Sequence, residues 1–167
     1  MTIFELGALG EFIGSIAVLA TLVYLAVQLR QTKSSIQSSS LQNALGYLNQ
    51  ANFLVAGDGE FSEIATTGLF DPDSLNQAQW FRFGAYLTGM FHVFQHLYLD
   101  SQKGLVDEKV WLGERQAMLG VLANSGARKW WTEFPIPYTD DFRNYVDSIL
   151  DSATETASWK QFRQRSP

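Results

Sequence analysis

The most constraining feature of the sequence is the run from Phe12 to Leu29, which is 18 residues long and contains no charged side chain. Fourteen of these residues are apolar when alanine and tyrosine are counted. The other four are Gly14, Ser15, Thr21 and Gln28. As an α-helix the run would be about 27 Å long, close to the hydrocarbon thickness of a bilayer. We therefore predict that residues 1–33 form a membrane anchor helix.

Two other structures are compatible with such a run. A buried helix of a water-soluble bundle can also be apolar on every side. A cleaved signal peptide is disfavoured, because the preceding residues carry Glu5 and Glu11 without a basic side chain and no A-x-A site follows. Arg30 and Lys33 lie directly after the run. By the positive-inside rule they predict a single-pass protein with the bulk of the chain on the cytoplasmic side.

Small residues recur along the predicted anchor helix at three- and four-residue spacing. They are Gly7, Gly10, Gly14, Ala17 and Thr21. Small residues at such spacing allow two membrane helices to approach closely. We predict that this stripe packs against a second copy of the chain or against another membrane protein. The alternative is that glycine is simply common in membrane helices.

The rest of the chain has the pattern of helices and no convincing strand alternation. The helix should continue beyond Leu29 as a stalk, and Gly57-Asp58-Gly59 should end it. A central helix is predicted over 75–102, begun by a capping box of Ser74 and Gln77. Asp107 and Thr139 are further predicted caps, and Ser125-Gly126 is predicted to be a turn. We therefore expect an all-α fold, in which a transmembrane helix continues as a stalk into a small helical bundle over 34–155.

Composition excludes several classes of function. The chain has 12 basic and 17 acidic side chains, so its net charge of −5 argues against binding to nucleic acid. It has no cysteine, which excludes disulfides, thiolate zinc sites and cysteine nucleophiles. Serines 34–40 have neither a histidine nor a glycine elbow near them. We expect no enzymatic activity and no cofactor.

His92 and His96 are four residues apart and should project from one face of the central helix. That spacing is compatible with a metal or a haem, but two ligands are too few and the flanking glutamates of known metal motifs are missing. The alternative is a pair of polar residues along a seam of the bundle, and we predict no metal site. A possible ligand pocket combines the two histidines with nearby aromatic side chains. Its predicted members are Trp80, Phe91, His92, Phe94, His96 and Trp111, although such aromatic sets often simply fill a core.

The C-terminal tail, residues 156–167, is basic and aromatic in an otherwise acidic chain. The side chains predicted to rest on anionic lipid headgroups are Trp159, Lys160, Phe162, Arg163 and Arg165. The alternative is a frayed terminus.

Several short segments resemble a widespread set of uncharacterised small bacterial proteins with one N-terminal membrane helix. They are Leu9-Gly10-Glu11-Phe12-Ile13-Gly14, Tyr24-Leu25-Ala26-Val27-Gln28-Leu29-Arg30-Gln31, Gly68-Leu69, Asp71-Pro72-Asp73-Ser74-Leu75, Gly104-Leu105-Val106-Asp107-Glu108, Trp111, Trp130-Trp131 and Phe142-x-x-Tyr145-Val146. The resemblance implies a helical protein anchored in the bacterial inner membrane, and it implies no activity.

We therefore expect a non-enzymatic accessory or scaffolding subunit of a membrane assembly that acts through helix packing. Its partners would be the lipid bilayer and other membrane proteins or itself. The alternative is a membrane-tethered sensor that binds a small molecule or lipid. A histidine-dependent metal or haem protein is the third hypothesis.

Overall fold

A computed structural model describes residues 2–134 and 137–150. In this part of the chain six α-helices follow one another, with a short 3-10 turn at Pro72–Ser74 and no β-strand. The helices are α1 (Ile3–Gly57), α2 (Gly59–Phe70), α3 (Gln77–Gln102), α4 (Glu108–Leu122), α5 (Ser125–Glu133) and α6 (Asp140–Leu150). The prediction of an all-α fold with a long N-terminal helix is confirmed.

The chain divides into two units between Ser40 and Leu41. The first unit is the N-terminal part of α1, which contains the apolar run. Because α1 continues without a break from Ile3 to Gly57, the prediction that the apolar helix extends well beyond Leu29 is confirmed. The second unit contains the end of α1 and all the other helices.

Helix α3 forms the centre of the second unit. Its buried apolar side chains are Phe83, Leu87, Phe91, Phe94 and Leu97. Phe91 packs against Trp130 of α5, with ring centroids 4.8 Å apart. Tyr98 stacks on Tyr145 of α6 at 4.5 Å. The predicted central helix is therefore surrounded by other helices because apolar side chains cover much of its circumference.

Helices α2 and α5 cross at two glycines. A Cβ atom placed on Gly126 would lie 1.6 Å from the carbonyl oxygen of Gly68. A Cβ atom on Gly68 would lie 2.5 Å from the ring of Phe83. The two backbones can approach this closely because Gly126 has no side chain, while the missing side chain of Gly68 leaves room for Phe83 of α3.

Some helix termini differ from those predicted. Helix α3 is capped by Asn76, whose side chain accepts a hydrogen bond from the Gln79 backbone N–H at 3.0 Å. Ser74 instead donates its hydroxyl hydrogen bond to Asp71, so the predicted capping box of Ser74 and Gln77 is wrong. Ser125 and Gly126 form the first turn of α5 rather than a separate turn.

Other predicted termini are confirmed. Asp107 caps α4 by accepting from the Lys109 backbone N–H at 2.8 Å. The hydroxyl of Thr139 accepts from the Phe142 backbone N–H at 3.4 Å at the start of α6. Gly104 follows α3 with a φ of 64°, a conformation that glycine adopts without steric cost.

Candidate functional site

Within the second unit, the buried and half-buried residues at the end of α1 are spaced alternately three and four apart. They are Leu41, Ala44, Leu48, Ala51 and Val55. This spacing forms one narrow stripe of α1, of which Leu41, Ala44, Leu48 and Val55 pack in or against the core of the second unit. Two of the five residues are alanines, and Gly89 of α3 lies on the opposite wall. Small side chains on both helices leave space between them.

That space is an open groove, which we call the α1–α3 groove and define by Asn43–Leu54 of α1 and Ala85–His96 of α3. It consists of two adjoining cavities of about 420 and 300 Å³. Both cavities are lined by Tyr47, Gly89 and Val93. A Cβ atom on Gly89 would meet nothing within 4 Å. Gly89 therefore keeps the middle of the groove clear.

His92 and His96 line the same end of the groove, together with Asn43. Both histidines are exposed. The ring of His92 meets the edge of Tyr138 with centroids 5.0 Å apart, and Nε2 of His96 lies 3.6 Å from Oδ2 of the buried Asp100. An exposed imidazole beside a carboxylate can donate hydrogen bonds in either protonation state.

Tyr138 supports this end of the groove from the segment before α6. Its hydroxyl donates to the carbonyl oxygen of Thr88 at 3.1 Å, and its ring stacks on Trp131. Burial raises the pKa of Tyr138 far above its ordinary value, so the hydroxyl stays neutral. Gln95 also joins the two segments, because its side-chain oxygen accepts from the Thr139 backbone N–H at 2.8 Å.

The predicted ligand pocket is only partly brought together. Phe91, Phe94 and Trp111 are core side chains, each 5% exposed or less, and Trp80 is half-buried. Of the six predicted residues, His92 and His96 line the α1–α3 groove. Sequence reasoning missed Asn43, Tyr47 and Gly89. The glycine within the apolar stretch of α3 and the heptad-like spacing of 41–55 were the available signals.

The spacing of the same two histidines is also compatible with a metal site. Over 2–134 and 137–150 no group of three histidine, aspartate or glutamate side chains is arranged to hold a metal ion. What the histidines provide in the described structure is a pair of hydrogen-bond donors on one wall of a largely apolar groove.

The first unit carries the second candidate surface. Among the described residues, α1 is the one helix that is long and apolar enough to cross a membrane, with a mean hydropathy of 2.1 in its best 18-residue window and none of that window buried. Gly7, Gly10 and Gly14 have nothing within 4 Å of a Cβ position. Ala17 and Thr21 are exposed on the same face.

The serine and threonine hydroxyl groups of this run are satisfied within the helix. Thr21 donates to the carbonyl oxygen of Ala17 at 2.8 Å, and Ser15 donates to that of Phe12 at 2.8 Å. Since a lone hydroxyl is costly in hydrocarbon, these bonds reduce the penalty of placing the run in a bilayer.

The predicted headgroup-binding side chains Trp159, Lys160, Phe162, Arg163 and Arg165 lie outside the described residues. No protein-family model matches the chain, and neither a curated protein nor a solved structure is similar to it. The resemblance to small bacterial membrane proteins therefore stays a prediction.

Proposed function

We propose that this chain is a non-enzymatic, single-pass membrane protein that serves as an accessory or scaffolding subunit of a membrane assembly. One observation carries the proposal: the apolar window of α1 has none of its residues buried. Ten leucine, isoleucine, valine and phenylalanine side chains lie between Phe12 and Leu29. Such a surface is unfavourable in water, so lipid or another helix must cover it.

The bilayer accounts for the length and backbone of this helix. An α-helix satisfies all its interior backbone hydrogen bonds within itself, which spanning a membrane requires. Arg30 and Lys33 follow the run. They favour a cytoplasmic location for the bulk of the chain, and the inner membrane of a bacterium is the setting that we propose.

Helix packing is the proposed mode of action. Between membrane helices, close approach of backbones provides most of the attraction, because lipid tails are as apolar as leucine. The stripe of Gly7, Gly10, Gly14, Ala17 and Thr21 provides a face without bulky side chains. A helix from a partner subunit, or from a second copy, would pack against it.

Two alanines on opposite sides of α1 provide a matched test. Ala17 lies on the small-residue stripe, and Ala26 is nine residues later, about half a turn around the helix. Tagged full-length protein would be purified from its own host in mild detergent, and everything that co-elutes identified by mass spectrometry. We expect a subunit at fixed stoichiometry that Ala17→Leu removes and Ala26→Leu keeps.

Two outcomes would contradict the proposal. A chain that elutes alone and monomeric under these conditions is no accessory subunit. A chain that is released from the membrane fraction without detergent has no membrane anchor. Partner loss in both alanine variants would leave the assembly role but remove the stripe as its interface.

The α1–α3 groove favours a second candidate function, a membrane-tethered module that binds a small molecule or lipid. Its larger cavity of about 420 Å³ is within the range of ligand sites, and it is mostly apolar with a few polar groups at one end. Native mass spectrometry of protein from the host tests this function. A bound molecule of constant mass would support it, and an unliganded spectrum would count against it.

A further inference from the structure

We infer that the α1–α3 groove binds a single-chain amphipathic anion, such as a fatty-acid carboxylate, with its head at His92 and His96 and its chain directed toward Leu54. This inference rests on the proposed ligand-binding function and names the chemical class of its ligand. It is carried by the shape of the groove, by the polarity of its two ends and by the hydrogen-bond donors at one of them.

The shape of the groove suits one unbranched chain. The end of α1 and α3 run antiparallel, since Asn43 shares a cavity with His96 and Leu54 shares one with Ala85. Eleven residue steps of each helix give a length of roughly 16 Å, about the reach of an extended chain of twelve carbons. Gly89 lies at the middle and leaves the path open.

The two ends of the groove differ in polarity. Asn43, His92 and His96 lie at one end. At the other end lie Ala51, Leu54, Ala85 and Met90, with Gln50 and Tyr86 as the polar neighbours. Burial raises the pKa of Tyr86, so its hydroxyl stays neutral there. A ligand with one polar head and an apolar chain matches this gradient.

The sign of the head group follows from the side chains around it. The described residues that line the two cavities include two imidazoles and no aspartate or glutamate. The carboxylate of Asp100 lies 3.6 Å from Nε2 of His96 and lines neither cavity. Imidazole N–H groups donate and a carboxylate only accepts, so an anionic head pairs with both histidines.

A photo-crosslinking experiment tests the site directly. Full-length protein in lipid nanodiscs would be irradiated with a twelve-carbon carboxylate that carries a diazirine in mid-chain. Labelled residues would be mapped by mass spectrometry. We expect labelling within 43–54 and 85–96, in addition to labelling of 12–29, which reports only that the probe has entered the bilayer.

Two glycines provide matched variants. Gly89→Leu fills the groove, whereas Gly113→Leu makes the same change at an exposed position of α4 where a Cβ atom also meets nothing within 4 Å. We expect Gly89→Leu to reduce groove labelling at least about tenfold and Gly113→Leu to leave it unchanged. Labelling of 12–29 should be equal in both variants.

Competition tests the charge of the head group. Unlabelled dodecanoate should suppress groove labelling at a concentration at least about tenfold lower than dodecyltrimethylammonium. The double variant His92→Leu, His96→Leu should remove this preference. Equal competition by anion and cation in the wild type would overturn the anionic ligand and leave the ligand-binding function standing. If the probe labelled only 12–29, both the anionic ligand and the ligand-binding function would be overturned.

Discussion

At the scale of single residues, Gly126 leaves no room for a side chain where α5 crosses α2. Gly126→Ala would place a Cβ atom 1.6 Å from the carbonyl oxygen of Gly68. No flexible side chain can move aside there, so α2 and α5 would have to separate. We expect a loss of about 3 kcal/mol or more in the free energy of unfolding, at the upper end of overpacking effects.

The measurement is urea unfolding followed by tryptophan fluorescence, since Trp80, Trp111, Trp130 and Trp131 all lie in the second unit. Gly113→Ala is the control, because its new methyl group meets nothing. It should stabilise the protein by about 0.5–1 kcal/mol through helix propensity alone. Equal effects of the two substitutions would contradict the crossing of α2 and α5.

Glu114 on α4 gives a pH-dependent prediction. It is half-buried, and this burial raises the pKa of its carboxyl group. Above the unfolded-chain pKa of about 4.3 the native state binds more protons than the unfolded state, so stability falls as pH rises through the raised pKa. Glu114→Gln should therefore raise the free energy of unfolding at pH 7 but not at pH 3.5.

Urea midpoints at the two pH values measure this effect. The exposed Glu63 of α2 provides the control for removing one negative charge. If Glu63→Gln gave the same gain at pH 7, general charge repulsion in an acidic chain would explain the result, and burial of Glu114 would not.

At the scale of helices, substitutions at the start of α3 can show whether Asn76 or Ser74 is its N-cap. Asn76 and Gln79 exchange two hydrogen bonds of 3.0 Å, between each side chain and the other's backbone N–H. Asn76→Ala should destabilise the bundle by about 1 kcal/mol. Ser74→Ala removes only a bond to exposed Asp71 and should cost less than half as much. Tryptophan-monitored urea unfolding of both variants tests this, and a larger loss for Ser74→Ala would contradict the assignment.

The helices themselves could be predicted from sequence, because the apolar spacing around Phe83, Leu87 and Phe94 repeats over many turns. Such a pattern still identifies a helix when single positions deviate from it. Caps were harder. Ser74 and Asn76 are both good capping residues, and which one caps depends on where the 3-10 turn at Pro72–Ser74 places the backbone. Tertiary contacts with α5, including an ion pair of Lys129 and Asp73, act on that same turn.

The groove could be predicted even less well. Its two histidines were found because they share a helix face, but the opposite wall depends on how α1 and α3 align. Asn43 and Tyr47 are far from His92 in sequence, and only folding brings them to the same cavity. The aromatic side chains first considered for the pocket, such as Phe91, are more favourably buried in the core.

At the scale of the whole molecule, the proposed membrane anchor depends on a modest free energy of insertion. Its ten large aliphatic and phenylalanine side chains contribute about −3 to −6 kcal/mol to insertion, before the cost of residues such as Gln28 is subtracted. An arginine at the centre costs about 2.5–3.5 kcal/mol. Leu19→Arg should therefore release most of the protein from the membrane fraction on alkaline carbonate extraction.

Leu45→Arg is the matched control, because it makes the same change at an exposed position of α1 that lies beyond the apolar run and lines neither cavity of the groove. We expect it to stay in the membrane pellet, as we expect of the wild type. Retention of Leu19→Arg would mean that the run is held by protein contacts rather than by lipid, since an arginine facing a partner helix or a water-filled cavity loses much of its cost. Release of both variants would instead show that the loss does not depend on the position of the arginine, and insertion of the apolar run into lipid would no longer explain it.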